Sequence, residues 1–530
     1  MKKNINKNYD IIVIGSGFGG SVSALRLSEK GYKVGVLERG KRYQAKDFPK
    51  SSWNIKKYIW FPRLFLYGIQ CITLFRNLFV IHGAGVGGGS LVYANTHLIP
   101  PDEAFNNEDW GSTDWKERLL PYYGLAKMML GTTEAKTFGK SDHILKNCAD
   151  DMGKGDTFYN VDVGIHFSDK KGWIEDPYFN GEGPSRKGCI YCGECMVGCR
   201  HDAKNTLDKN YLYLAEKYGA EIIPEMDVYD VVPDKDGYIV KAKKSTGILH
   251  PKEEFKCKKV IFSGGVMGSV KLLMECKKNG SLNNMSSQLG NFVRSNSEAI
   301  LGVKIPKADK DLTKGIAISA GFHPDKNTHI ETFRYGKGQN MMGLLTTEMT
   351  HVNQKAGLAS WLLNFIKHPI RNLAYFFPRK WSERGIFLLV MQPLNNYLRF
   401  VYEKKWWQFG RVSINTKNES KQPIPGRIEV GEDVAANIAK RLGGTCSTTY
   451  TSAILNIPTT AHILGGARMA NSSNKGVVDN NLEVFGHKGL YVVDGSSIPS
   501  NLGVNPSLTI TALAEYAMSK FPKKGSENEF

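Results

Sequence analysis

A chain of 530 residues exceeds what one hydrophobic core supports, so two or more domains are expected, and a hydrophobic content of 41% is ample for a globular enzyme. Seventy Lys and Arg against 51 Asp and Glu leave a net charge of +19, which points to an anionic surrounding, either nucleic acid or anionic lipid. Nine cysteines, odd in number and unevenly spaced, and a basic start too short for a signal-peptide core argue against an exported disulfide framework. A cytoplasmic protein with reduced thiols or metal ligands is the expectation.

The first predicted unit runs from Tyr9 to Gly40, YDIIVIGSGFGGSVSALRLSEKGYKVGVLERG, and reads as strand, tight glycine turn, helix and a second strand ending in Glu38. Gly15 suits the sharp turn, Gly17 a close backbone approach to a pyrophosphate, and Gly20 close helix packing, with the helix N-terminus free for phosphates. Glu38 stands where a carboxylate accepts from ribose hydroxyls and would repel the extra phosphate of NADP. A dinucleotide site follows. The next stretch, Tyr58 to Phe79, is aromatic and apolar, but Arg63 and Arg76 interrupt any uncharged membrane span. It is expected to be either a lid touching lipid or core helices.

Ile81 to Asn95, IHGAGVGGGSLVYAN, holds five glycines between Gly83 and Gly89. Such a run lets backbone lie against a large flat ligand, which FAD, held at both ends, needs more than NAD does. Cys189, Cys192, Cys195 and Cys199 then form C-x2-C-x2-C-x3-C, the spacing of bacterial ferredoxin runs, although Arg200 stands where a proline usually follows. An iron–sulfur cluster, a structural zinc and uncomplexed redox thiols stay open for it.

HIETFRYG, His329 to Gly336, places Glu331 on an alternating strand. Trp361 to Trp381 interleaves aromatics with Lys367, Arg371, Arg379 and Lys380, as segments lying on a membrane surface do. Near the end, LYVVDGSSIP reads as a buried strand ending at Asp494 and Gly495, followed by a loop and a helix starting near Pro506. Repeats and nucleic-acid motifs are not found, so lipid is the favoured anionic partner.

GSGFGG with Glu38, the GAGVGGGS loop, AKNTLDKNYL leading to VIFSGGVMGSVKLL, and AHILGG with VDGSSIPSNLGVNPSLTITALAE together resemble the glucose-methanol-choline (GMC) oxidoreductases, most nearly their bacterial cholesterol oxidases. The resemblance implies an α/β fold: a discontinuous Rossmann-like FAD domain, 1–44, 200–300 and 456–522, and an α+β substrate domain with a large β-sheet, 45–199 and 301–455, carrying the lid and the cysteine run. Residues 523–530 are expected to be a disordered tail.

The resemblance further implies His462 as base and Asn505 as the residue that orients the alcohol, with Glu331 the carboxylate over a sterol-like substrate. Gly85, Gly88, Gly89, Ser90, Asp494, Gly495, Asn505 and Pro506 join Gly15, Gly17, Gly20 and Glu38 around FAD. SLVYAN lacks the histidine through which some members attach flavin, so FAD is expected to be non-covalent. The expected reaction is oxidation of a secondary alcohol on an apolar molecule, with oxygen or a quinone as acceptor and peripheral contact with the inner face of a membrane. The rival from another class is a membrane-associated flavin and iron–sulfur electron carrier or redox sensor that turns over no alcohol.

Overall fold

The computed structural model describes residues 7–106, 108–112, 114–350, 357–404 and 412–526. Ile11, Ile12, Val13 and Ile14 are all buried, so β1 (Asn8–Ile14) is apolar on both faces and lies inside a parallel sheet. It pairs in parallel with β2 (Val34–Glu38) on one side and with Lys252–Phe262 on the other. Glu221–Pro224 extends the sheet beyond β2, and Leu490–Val492 pairs with the end of Lys252–Phe262. By chain position the spatial order is 3-2-1-4-5, a doubly wound sheet. The hairpin of Met226–Asp234 and Gly237–Lys244 adds antiparallel strands.

Helix α1 (Phe18–Glu29) is rich in small buried residues and packs beside the helix Ser507–Ser519. Arg26 Nε donates to Glu515 Oε2 at 2.7 Å, and Tyr211 Oη donates to Glu515 Oε1 at 2.7 Å. The first bond fastens Ser507–Ser519 to α1 and the second fastens it to the helix Tyr211–Lys217.

A second sheet is antiparallel throughout, in the order Thr346–Glu348, Thr445–Thr449, Ala299–Lys304, Gly385–Met391, Thr328–Phe333, Ile318–Asp325, Tyr159–Asn160. Helices Lys140–Asp151 and Glu429–Leu442 cover one face with an apolar core that includes Ile330, Leu388 and Val434. Alternation along Thr328–Phe333 sends Ile330 and Thr332 to that face and Glu331 to the other.

Several sequence expectations need correction. The core of the dinucleotide sheet also contains Trp110, Trp115, Leu119 and Tyr123, because the helix Trp115–Met129 packs on Ser507–Ser519; the division at residue 44 separates residues that share one core. The boundary at 300 falls inside Ala299–Lys304. Tyr58 to Phe79 forms short strands, Trp60–Phe61, Leu66–Tyr67 and Gln70–Leu74, in place of a core helix. Of the expected tail, Lys524 is held by Asp10 and by the Lys30 carbonyl, and 527–530 lie outside the described residues.

Candidate active site

The two glycine loops meet. Gly15 has φ +102°, and a Cβ there would sit 2.4 Å from the Ser263 carbonyl oxygen; one at Gly20 would sit 2.1 Å from the Gly15 oxygen. Neither position admits a side chain. A Cβ on Gly88 would lie 2.7 Å from Gly17 Cα, so the second loop rests on the first. Gly17, by contrast, has only the Ser263 oxygen at 3.9 Å near its Cβ position, and it heads α1 without a side-chain cap. Small residues, open space and uncapped N–H groups at one point suit a pyrophosphate, so the residues present fit FAD.

Glu38 is buried between the loops. Oε2 accepts from Ser16 N at 3.1 Å and Ser16 Oγ at 2.7 Å, and Oε1 accepts from Gly40 N at 2.8 Å and Gly85 N at 3.3 Å. Those four bonds occupy the carboxylate's four lone-pair directions. A ribose hydroxyl would have to exchange with one of them, most easily with the rotatable Ser16 hydroxyl. Asp494 is equally occupied, accepting from Gly265 N, Ser269 Oγ, Ser496 N and Ser496 Oγ between 2.5 and 2.8 Å. It fastens the strand end, with Gly495 after it, to the Gly264–Gly265 turn, a link the sequence motif did not reveal. Ser90 donates to the Gly87 carbonyl at 2.7 Å and accepts from Leu207 N at 3.1 Å, closing the loop containing Gly85 and Gly89 onto Leu207.

Three residues beyond His462, Gly465 N donates to the Gly495 carbonyl after the strand Leu490–Val492, and the structure brings His462, Asn505 and Glu331 together. Asn505 Nδ2 donates to Glu331 Oε2 at 3.2 Å and lies 3.4 Å from His462 Nε2. Pro506 follows as the cap residue of Ser507–Ser519, which fixes Asn505 at the helix entrance. The sequence reading missed Glu298, whose Oε2 stands 2.5 Å from His462 Nδ1 while Oε1 accepts from Ala461 N. Glu298 is wholly buried and follows Asn296 and Ser297, both with positive φ; Asn296 in turn holds the Val504 carbonyl and the Leu502 and Gly503 amides. One strained segment thus positions both the histidine's partner and the asparagine's loop.

Burial pushes the Glu331 carboxyl up to about 7, against the opposing influence of Asn505 and His462. For His462 burial favours the neutral ring, but the Glu298 charge and hydrogen bond outweigh it and raise the pKa. Glu331 Oε1 and Asn505 Oδ1 have no hydrogen-bond partner among the described residues. Two open acceptors and an imidazole nitrogen thus face one another. An apolar cleft of about 510 Å³, including space open to solvent, is lined by Phe79, Ile81, Phe333, Trp381 and Phe387 and reaches Thr459; Phe333 and Thr459 stand two and three residues from Glu331 and His462, which do not themselves line it.

The cysteine run coils on itself. Tyr191, Gly193 and Gly198 have positive φ, all nine cysteines of the chain are free, and Cys189 packs in the apolar cluster containing Cys195. Burial first and neighbouring thiols second push the Cys189 thiol up, and Cys192 to about 12.

A GMC oxidoreductase description matches residues 184–278 and 410–514, and an FAD-binding domain description matches residues 10–46. Over 536 aligned residues the chain is 44% identical to a cholesterol oxidase of Mycobacterium tuberculosis, covering 98% of this chain and 92% of that protein. The chain belongs to the GMC oxidoreductase family. This GMC oxidoreductase is also 43% identical to a cholesterol oxidase of Acinetobacter baumannii, covering 99% and 96% of the two chains. Its fold matches pyridoxine 4-oxidase at TM-score 0.60 and 13% identity, covering 97% and 99%, and formate oxidase at 0.62 and 14%, covering 98% of each. It is an FAD-dependent alcohol oxidoreductase. Among the described residues no helix is long and apolar enough to cross a membrane.

Proposed function

We propose that this enzyme oxidises a secondary alcohol on an apolar, sterol-like molecule, with His462 as the base. The observation that carries the reading is His462 held by Glu298 on one nitrogen and facing Asn505 and Glu331 with the other. Glu298 accepts the hydrogen bond of the Nδ1 N–H, which leaves the Nε2 lone pair to take the hydroxyl proton. The Asn505 amide, shared with Glu331, orients the alcohol oxygen in the same place. Bound FAD, held without a covalent link by the two glycine loops, supplies the hydride acceptor. Above its raised pKa Glu331 is a buried carboxylate with one open oxygen, suited to moving a proton on the carbon skeleton, which would shift a sterol double bond.

The cleft's apolar lining and the cholesterol oxidase names of the two relatives support the substrate class. Those names also support oxygen as the acceptor, with a quinone as the alternative. Helices Leu358–Lys367 and Pro369–Phe376, with Phe377 just after them, expose Ile366, Ile370 and Phe377 at 73%, 85% and 70% beside Lys367, Arg379 and Lys380, which favours peripheral contact with anionic lipid. Arg371 is less free, because Glu348 holds it. Salt-sensitive co-sedimentation with anionic vesicles checks this contact; protein left in the supernatant at low salt would remove it.

Anaerobic mixing with a panel of sterols and long-chain alcohols tests the reading. Bleaching of the flavin spectrum by a sterol is expected. A flavin that no alcohol reduces would favour the electron carrier or redox sensor instead.

A further inference from the structure

Lys204, in the AKNTLDKNYL stretch, is completely buried, and its ammonium is spent on main-chain oxygens. It donates to Leu91 O at 3.2 Å, Tyr93 O at 2.9 Å and Cys195 O at 2.9 Å. Leu91 and Tyr93 directly follow the second glycine loop, and Cys195 is the third cysteine of the run. One cation therefore joins the flavin-side loop to the thiols.

The run is also pinned from outside. Gly193 N donates to Gly315 O and Gly315 N to Tyr191 O, both at 2.8 Å, while Cys189 N donates to His166 O at 2.9 Å. A Cβ at Gly193 would lie 2.4 Å from the Thr313 oxygen, so the turn between Cys192 and Cys195 is set by close backbone approach. The chain just past the run folds back on it, since ligand atoms of Cys192, Glu194 and His201 lie within 4.8 Å of one another. Among the described residues that is the one group of three ligand types so close, and Glu194 is already engaged by Arg200 and Gln339. No three of the four sulfurs lie within 4.8 Å of one another. A tetrahedral zinc, with Zn–S near 2.3 Å, would need them about 3.8 Å apart. Cys189 packs in the apolar cluster of Cys195, and the thiols of Cys189, Cys192 and Cys195 each feel Cys199, so the four are neighbours at more than single-ion spacing, as a larger centre requires.

We infer that Cys189, Cys192, Cys195 and Cys199 hold an iron–sulfur cluster, and that Lys204 couples it to the flavin-side loop. An ammonium beside a thiolate cluster offsets its negative charge and eases its reduction. The electron route rests on the alcohol-oxidising reading above, whereas the cluster does not. Each alcohol converted to a ketone releases two electrons and two protons. The cluster passes the electrons on singly, and a quinone takes up both with two protons to become a quinol.

The test is metal and sulfide analysis of full-length protein purified without air, joined to low-temperature EPR. Roughly three to four iron and a similar amount of labile sulfide per chain are expected, with a cluster signal after dithionite and after sterol. Cys189→Ser with Cys192→Ser should lose the iron, whereas Cys148→Ala, on the far helix, should keep it. Zinc in place of iron, or no metal in the wild-type protein, overturns the site whatever the variants do. A signal with dithionite but not with sterol, in protein whose flavin the sterol bleaches, overturns the electron route alone. Flavin that no alcohol bleaches defeats the alcohol reading while the metal analysis stands.

Discussion

Two neighbouring residues on one strand, Glu331 and Thr332, face opposite sides of the second sheet and meet opposite kinds of carboxyl environment. Thr332 Oγ1 donates to Asp142 at 2.8 Å, and Asp142 also accepts from Gly139 N and Ser319 Oγ, each at 2.7 Å, and pairs with buried Arg334. Glu331, just as buried, keeps one oxygen without a partner among the described residues and opposes Asn505 and His462. Asp142, Glu38 and Asp494 are saturated and hold backbone together. Glu331 is left open at a cost, because an unpaired buried carboxylate resists ionisation. The contrast separates the carboxylates that fasten the fold from the one proposed to meet a substrate.

The largest effect expected from breaking the open set is on His462. His462→Ala should slow flavin reduction by alcohol about 10²- to 10⁴-fold while leaving FAD bound, measured by rapid anaerobic mixing. On the saturated side, Asp142→Asn should lower stability by about 3–5 kcal/mol, because it strands Arg334, and denaturant unfolding reads this directly. Glu298→Gln should slow reduction by roughly tenfold, because the histidine loses the charge that favours its imidazolium. Removing that charge lowers the His462 pKa, so the acidic limb of the pH profile should move to lower pH. An unmoved limb would remove Glu298 from the account.

The last effect is thermal. A carboxyl whose folded pKa is raised from the model-peptide value of 4.5 to about 7 favours the fold below 4.5, and this contribution is lost as pH rises through 7. Glu331→Gln should therefore match the wild-type Tm at pH 4 and exceed it at pH 8. A lower Tm at pH 8 would mean that Glu331 has a stabilising partner.

What could be read from the sequence follows how local each signal is. The unit from Tyr9 to Gly40 was legible because turn, helix and strand lie in one stretch whose glycine spacing has steric causes. His462 and Asn505, which the structure places 3.4 Å apart, were picked out through flanking motifs rather than their own chemistry. Glu298 was not: it lies 164 residues from His462 in a segment whose meaning comes from positive φ at Asn296 and Ser297. The Tyr58 to Phe79 stretch looked helical by hydrophobicity, but tertiary pairing of Gln70–Leu74 with Phe79–Gly83 makes it a ribbon. Trp115–Met129 joined the first core because its partner, Ser507–Ser519, comes nearly four hundred residues later, beyond any periodic signal.

The contrast between the two sides of the strand is tested most directly by the rate of flavin reduction in folded, FAD-loaded Asp142→Asn. If Asp142 only fastens structure, the rate per bound flavin should stay within about threefold of wild type despite the loss of stability. A fall as deep as that of His462→Ala would contradict the account, since it would place a saturated carboxylate within the chemistry.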